Sequence, residues 1–112
     1  METAVEARGR ATVVRITGSV DGTTADQLTA VFTHELAAGH THLVAALDGV
    51  DYTSSAGLRV LLGAVKEARS AGGDVRLAAP RKDVLKVLEL AGFTGILKVY
   101  GDLESAVAGF GA

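Results

Sequence analysis

The groups best suited to chemistry are hydroxyls and carboxylates in two short segments, Gly18-Ser19-Val20-Asp21-Gly22-Thr23-Thr24 and Asp48-Gly49-Val50-Asp51-Tyr52-Thr53-Ser54-Ser55-Ala56-Gly57. In the second segment two adjacent serines precede two very small residues and then an amphipathic stretch. A serine at a helix start can do three things. Its oxygen can cap one of the N–H groups that the first turn leaves free, which is worth about 1 kcal/mol. It can stand beside an anion held by those N–H groups and by the roughly half positive charge at the helix N-terminus. It can itself accept phosphate, gaining about −1.5 to −2 charge that the same helix end tolerates. Capping accounts for one serine but not for two followed by Ala56-Gly57, whose small size is expected to leave the backbone open to an approaching group.

The remaining constellations are weaker. Asp21 and Asp51 are a carboxylate pair of the kind used for acid–base work or Mg²⁺, yet no His or Lys is tied to either by spacing, and turn formation explains single Asp residues as well. His34, His40 and His42 include one His-x-His without a third ligand, so solvent-facing histidines around a helix end are expected and no metal site. Arg81-Lys82, after Pro80, reads as ordinary surface. The chain has no Gly-x-Gly-x-x-Gly, P-loop or kinase catalytic loop, hence no equipment for phosphoryl transfer of its own. It reads as a binding module, not an enzyme, with no cofactor.

The elements that position these segments follow from periodicity. Thr3 to Ala7 and Ala11 to Thr17 read as strands joined by a hairpin loop at Arg8-Gly9-Arg10. Thr24 to Gln27 reads as a capping box for a helix whose apolar residues Leu28, Val31, Phe32 and Leu36 form one stripe, closed by Gly39 in the left-handed conformation. His42 to Leu47 is an unbroken apolar run, the pattern of a central strand covered on both faces. After a loop from Asp48 to Ser54, a second helix is expected from about Ser55 to Ala71, burying Leu58, Leu61, Leu62, Val65 and Ala68 and exposing Arg59, Lys66, Glu67 and Arg69. Val75 to Ala79 is a further strand, Lys82 to Ala91 a helix stopped by Gly92, Ile96 to Val99 a last strand, and Asp102 to Phe110 a closing helix capped by Asp102. The order β-β-α-β-α-β-α-β-α predicts an α/β fold with a mixed, mainly parallel sheet, one antiparallel edge strand and helices packed on it.

Composition narrows the class. The chain has 112 residues, with 11 Lys+Arg against 13 Asp+Glu, a net charge of −2. One domain over residues 1–112, ordered from about 3 to 110, is expected at this length. Aromatics make up 4% and there are no Cys, so Ala, Val and Leu must build the core, and disulfides, Cys-based zinc sites and thiol nucleophiles are excluded. The near-neutral charge argues against a strong grip on nucleic acid or an anionic membrane. Met1 to Arg10 lacks the apolar core of a signal peptide, and the apolar runs fall far short of the ~20 residues that cross a bilayer. A cytoplasmic protein is expected.

The stretch Val50-Asp51-Tyr52-Thr53-Ser54-Ser55-Ala56-Gly57-Leu58-Arg59-Val60-Leu61-Leu62 resembles the signature of STAS domains, specifically single-domain anti-sigma factor antagonists of bacteria. Gly18-Ser19-Val20-Asp21 is similar to the family's Gly-x-x-Asp segment, His42 to Asp48 to its central strand, and Val84 to Phe93 to the helix and turn of its last third. The resemblance implies partner switching: a serine-kinase anti-sigma factor is bound by the unphosphorylated protein, a sigma factor is released, and the kinase phosphorylates the serine two residues before the Gly-Leu pair. That serine is Ser55. A PP2C-type phosphatase would reset the switch. The implied contact face is Asp21, Gly22, Thr53, Ser54, Ser55, Ala56, Gly57 and Arg59, on a monomer or weak homodimer without nucleic acid or membrane insertion. Many family members carry Asp immediately before the phosphorylated serine; Ser54 stands there instead and is the alternative acceptor. Two other functions fit the same residues: a non-switching STAS scaffold or accessory subunit of a transporter or signalling complex, and a small enzyme or nucleotide binder using the two loops as an anion site.

Overall fold

The computed structural model of the chain describes residues 1–111; Ala112, the end of the expected domain span, lies outside the described residues. Strands β1 (Glu2–Arg8) and β2 (Ala11–Val20) form an antiparallel hairpin with Val5 opposite Val14. From β2 onward each strand runs parallel to the next, through β3 (His42–Thr53), β4 (Asp74–Ala78) and β5 (Val99–Tyr100), and the spatial order β1-β2-β3-β4-β5 is the chain order. The crossovers are α1 (Ala25–Ala37), α2 (Ser55–Ser70) and α3 (Lys82–Leu90). Crossovers between parallel strands are right-handed, and here every step moves the same way across the sheet. All three helices therefore lie on one face, leaving the last helix, α4 (Leu103–Ala108), to cover the other.

The core follows that division. Leu28 and Phe32 of α1, Leu58, Leu61 and Val65 of α2, and Val84 and Leu88 of α3 pack against Val14, Ile16, Leu43, Ala45, Leu47, Val75 and Leu77. On the opposite face Ala11, Val13, Val44, Ala46 and Ala78 lie under Ala106 of α4, flanked by Tyr100, Leu103, Val107 and Phe110. Successive residues of β3 thus feed opposite cores. That is why its first half is apolar without alternation.

Several expected boundaries move, for tertiary reasons. The segment Asp48 to Ser54 is not a loop: β3 continues to Thr53, and β2 continues past Thr17 to Val20. The two extensions pair with each other, Thr17 with Gly49, Gly18 with Val50, Ser19 with Tyr52 and Val20 with Thr53, through two register shifts. The expected last strand at Ile96–Val99 is displaced because Phe93–Gly95 forms a 3-10 turn and Leu97 is buried, leaving Val99–Tyr100 to pair with β4. The capping box at Thr24 is absent, since the Thr24 hydroxyl makes no cap bond and Gln27 Nε2 reaches Met1 O instead. Asp102 does cap α4, its Oδ1 accepting Ser105 N–H at 2.7 Å, and Gly39 and Gly92 follow α1 and α3 with φ of +89° and +77°.

The consequence for function is positional. The parallel strands β2 and β3 end side by side at Val20 and Thr53, and α1 and α2 begin at that same edge of the sheet.

Candidate functional site

β3 delivers Thr53, and α2 starts at once. Ser54 is its N-cap, with extended backbone (φ −92°, ψ 176°), and Ser55 is its first residue. Ser54 N–H donates to Val20 O at 2.9 Å, tying the start of α2 to the end of β2, and Leu58 N–H donates to Ser54 O at 3.1 Å, closing the first turn. The helix approaches the sheet so closely that Gly57 has no space for a side chain. A Cβ there would lie 2.4 Å from Thr53 Oγ1, 2.9 Å from Val20 Cγ1 and 3.0 Å from Val20 O. The small residue at this point therefore seats α2 on β2 and β3; it does not open the backbone to a visitor, because Gly57 is buried.

The two serines take opposite environments. Ser55 is exposed on the first turn. The Ser54 hydroxyl oxygen is buried and has no hydrogen-bond partner among the described residues. Neither serine caps the helix, so the expected capping role is not filled by a side chain. The N–H groups of Ser55, Ala56 and Gly57 accordingly have no intrahelical acceptor. Thr53 is 8% exposed and its hydroxyl donates to Ser54 O at 3.3 Å. Of the residues expected to contact a partner, Thr53 and Gly57 are thus buried supports. Gly22, Ser55 and Arg59 are exposed, and Asp21 and Ala56 are half-buried.

The neighbouring loop is organised by Asp21. Its Oδ1 accepts Thr23 N–H at 2.8 Å and the Thr23 hydroxyl at 2.6 Å, while its carbonyl accepts Thr24 N–H at 3.1 Å and Ala25 N–H at 2.8 Å to start α1. Thr24 Oγ1 accepts Asp21 N–H at 3.0 Å and donates to Ser19 O at 3.1 Å, which is why it does not cap. The Thr23 hydroxyl, and after it the Thr23 N–H, hold the Asp21 carboxyl below the usual carboxylate range, so it is ionised. Ser19 Oγ donates to Asp51 Oδ1 at 2.8 Å and fastens the two strand ends together. Asp21 and Asp51 therefore each have a hydroxyl partner of their own, from Thr23 and Ser19, and no acid–base pair is formed.

Beside Ser55 a groove of about 590 Å³ runs between α1 and α2, lined among others by Gly22, Asp26, Ala56, Arg59, Gly63 and Glu67. The histidines do not converge. His40 Nδ1 sits 2.8 Å from Glu35 Oε1, while the ring of His42 packs at 5.0 Å from that of Phe110, over the α4 face of the sheet. Among the described residues no cluster of three His, Cys, Asp or Glu is placed to hold a metal ion, and no helix is long and apolar enough to cross a membrane. The Ser19–Asp51 bond escapes sequence reasoning because it joins residues 32 apart in the chain through an irregular register.

A parallel sheet whose β2 and β3 ends present a serine-led helix and an ordered Asp loop is the arrangement of a STAS domain. The STAS family profile matches residues 2–106, and the chain belongs to this family. Over 93 residues it is 37% identical to BtrV of Bordetella bronchiseptica, a match covering 83% of this chain and 80% of that protein, which is named among the anti-sigma factor antagonists. Two solved structures share the fold. One is of a Thermotoga maritima protein of the same description (TM-score 0.90, 22% identity, 96% of this chain and 92% of that one). The other is the phosphorylated form of the Bacillus cell fate determinant SpoIIAA (TM-score 0.75, 22% identity, 97% and 99%).

Proposed function

We propose that this chain is an anti-sigma factor antagonist that works by partner switching, with Ser55 as the phosphate acceptor. Unphosphorylated, it docks through the Ser55 end of α2 and the Asp21 loop onto an anti-sigma factor that is also a serine kinase, freeing a sigma factor. The kinase then transfers the γ-phosphoryl group of ATP to Ser55 Oγ. The hydroxyl proton is lost, the new O–P bond replaces the one to the β-phosphate, and ADP leaves. A PP2C-type phosphatase hydrolyses the phosphoserine and restores the docking face. The chain itself acts as a binding module in the cytoplasm.

The observation that carries this reading is the split between the serines: Ser55 is exposed at the helix start, whereas the Ser54 oxygen is buried. A kinase must bring the acceptor oxygen in line with ATP, and only Ser55 meets that condition without unwinding the start of α2. The surroundings amplify the switch. Asp51, near the end of β3, is exposed, and Asp21, just after β2, is ionised, so a phosphate arrives among like charges. Desolvating that dianion against a surface suited to a neutral hydroxyl costs several kcal/mol. About 3 kcal/mol corresponds to more than a hundredfold in affinity. The relation to BtrV and the phosphorylated SpoIIAA structure support this reading.

The test is incubation with the cognate kinase and Mg·ATP, followed by intact mass and site mapping. One phosphate on Ser55 is expected, and none on Ser55→Ala. Full labelling of Ser55→Ala would move the acceptor elsewhere.

A further inference from the structure

We propose that Arg59 is the intramolecular counter-ion of the phosphate on Ser55, so that modification both adds a dianion to the docking face and withdraws an exposed cation of the same helix from it. This inference rests on Ser55 being the acceptor. Ser55 and Arg59 are one turn apart on α2, at i and i+4, where side chains are neighbours with Cβ atoms about 5–6 Å apart, and both are exposed. The anion lies N-terminal to the cation, the favourable order along a helix.

Arg59 is also uncommitted. Arg8, Arg15, Arg69 and Arg76 are each bound to a carboxylate, and Arg81 donates to Asp48 O at 2.9 Å. Arg59 has no ion pair among the described residues, although Asp26 and Glu67 line the same groove. A phosphate dianion on Ser55 offers a guanidinium two oxygens at once, a stronger acceptor than either solvated carboxylate. No other Lys or Arg lies in the first two turns of α2.

The test needs no kinase. Phosphoserine is introduced at position 55 of the full chain during translation, and the phosphate is titrated by ³¹P NMR. Its second ionisation is ordinarily near pH 6. In the Arg59→Gln protein the helix N-terminus still lowers it, so the informative quantity is the difference between the two proteins. The unsubstituted phosphoprotein is expected to titrate about 0.2–0.4 of a unit below Arg59→Gln. Arg59→Lys should recover part of that difference, Lys66→Gln should titrate like the unsubstituted chain, and high salt should shrink the gap. Equal values for the unsubstituted and Arg59→Gln phosphoproteins would overturn the pairing while leaving Ser55 as acceptor. Failure of the kinase to modify Ser55 would instead remove the acceptor assignment and leave this titration standing.

Discussion

Replacing Gly57 by Ala probes the contact that places Ser55. The new methyl would sit 2.4 Å from Thr53 Oγ1 and 3.0 Å from Val20 O, and the second of these is backbone that cannot rotate away. Relief requires α2 to lift from β2, and Val20 O is also the acceptor of Ser54 N–H. Overpacking of this kind costs about 1–3 kcal/mol, and weakening that hydrogen bond adds up to about 1 kcal/mol. The better helix propensity of Ala returns at most about 1 kcal/mol. The net expectation is a loss of about 2 kcal/mol, or roughly 8 °C in Tm for a domain of this size. Gly63→Ala is the matched control. It lies six residues further along the same helix, and nothing is within 4 Å of its Cβ position. There the propensity gain stands alone, and stability should rise by about 0.5–1 kcal/mol. Urea and thermal unfolding followed by circular dichroism measure both. If Gly57→Ala is as stable as the unsubstituted chain, or if both substitutions shift stability in the same direction, the close seating of α2 is refuted.

Other consequences are equally direct. Ser55→Asp places only one charge and no phosphate geometry at the helix start, so it should weaken binding to the kinase partner in calorimetry by less than the phosphate does, while Ser54→Ala should leave phosphorylation at Ser55 intact. The Asp21 carboxyl is held below its ordinary range by Thr23, so its contribution to stability is present above the pKa of an unfolded carboxyl and is lost as pH falls through its own lower value. Thr23→Val should raise that pKa in an NMR titration, and Asp21→Asn should flatten this part of the acid limb of the stability profile. Asp74 is buried and accepts from Arg69 at 3.0 Å, Arg76 at 3.3 Å and Val75 N–H at 3.0 Å. Asp74→Ala should therefore cost about 2–3 kcal/mol in urea unfolding, somewhat below the value for a fully buried pair because Arg69 is half in solvent.

Much of this architecture is legible in residue patterns, and the exceptions share a cause. Alternation of strands and helices, the capping Asp102 and the glycines after α1 and α3 are local signals, and the structure reproduces them. The apolar run His42 to Leu47 identifies the middle strand of the sheet because burial on both faces leaves no other pattern. By contrast, Asp48-Gly49-Val50-Asp51 has the composition of a turn, yet it is held as strand by pairing with the end of β2. Thr24 carries the sequence mark of an N-cap, but its hydroxyl is engaged by Asp21 N–H and Ser19 O. Residue type and the helix-start pattern do not separate the two serines; only the family resemblance singles out Ser55, by its place two residues before Gly57-Leu58. What separates them is the point at which the chain turns from extended to helical, one residue placing its oxygen inside and the next placing it in water. Gly57 is similar: its small size is visible in the sequence, but the surface it is small for belongs to β2.

The most direct measurement of the central claim is the affinity of the anti-sigma kinase partner for this chain before and after phosphate is placed on Ser55, by isothermal titration calorimetry at one salt concentration. Tight one-to-one binding of the unmodified protein and a loss of about a hundredfold or more on phosphorylation are expected. Equal affinity for the two forms would contradict a switch at Ser55.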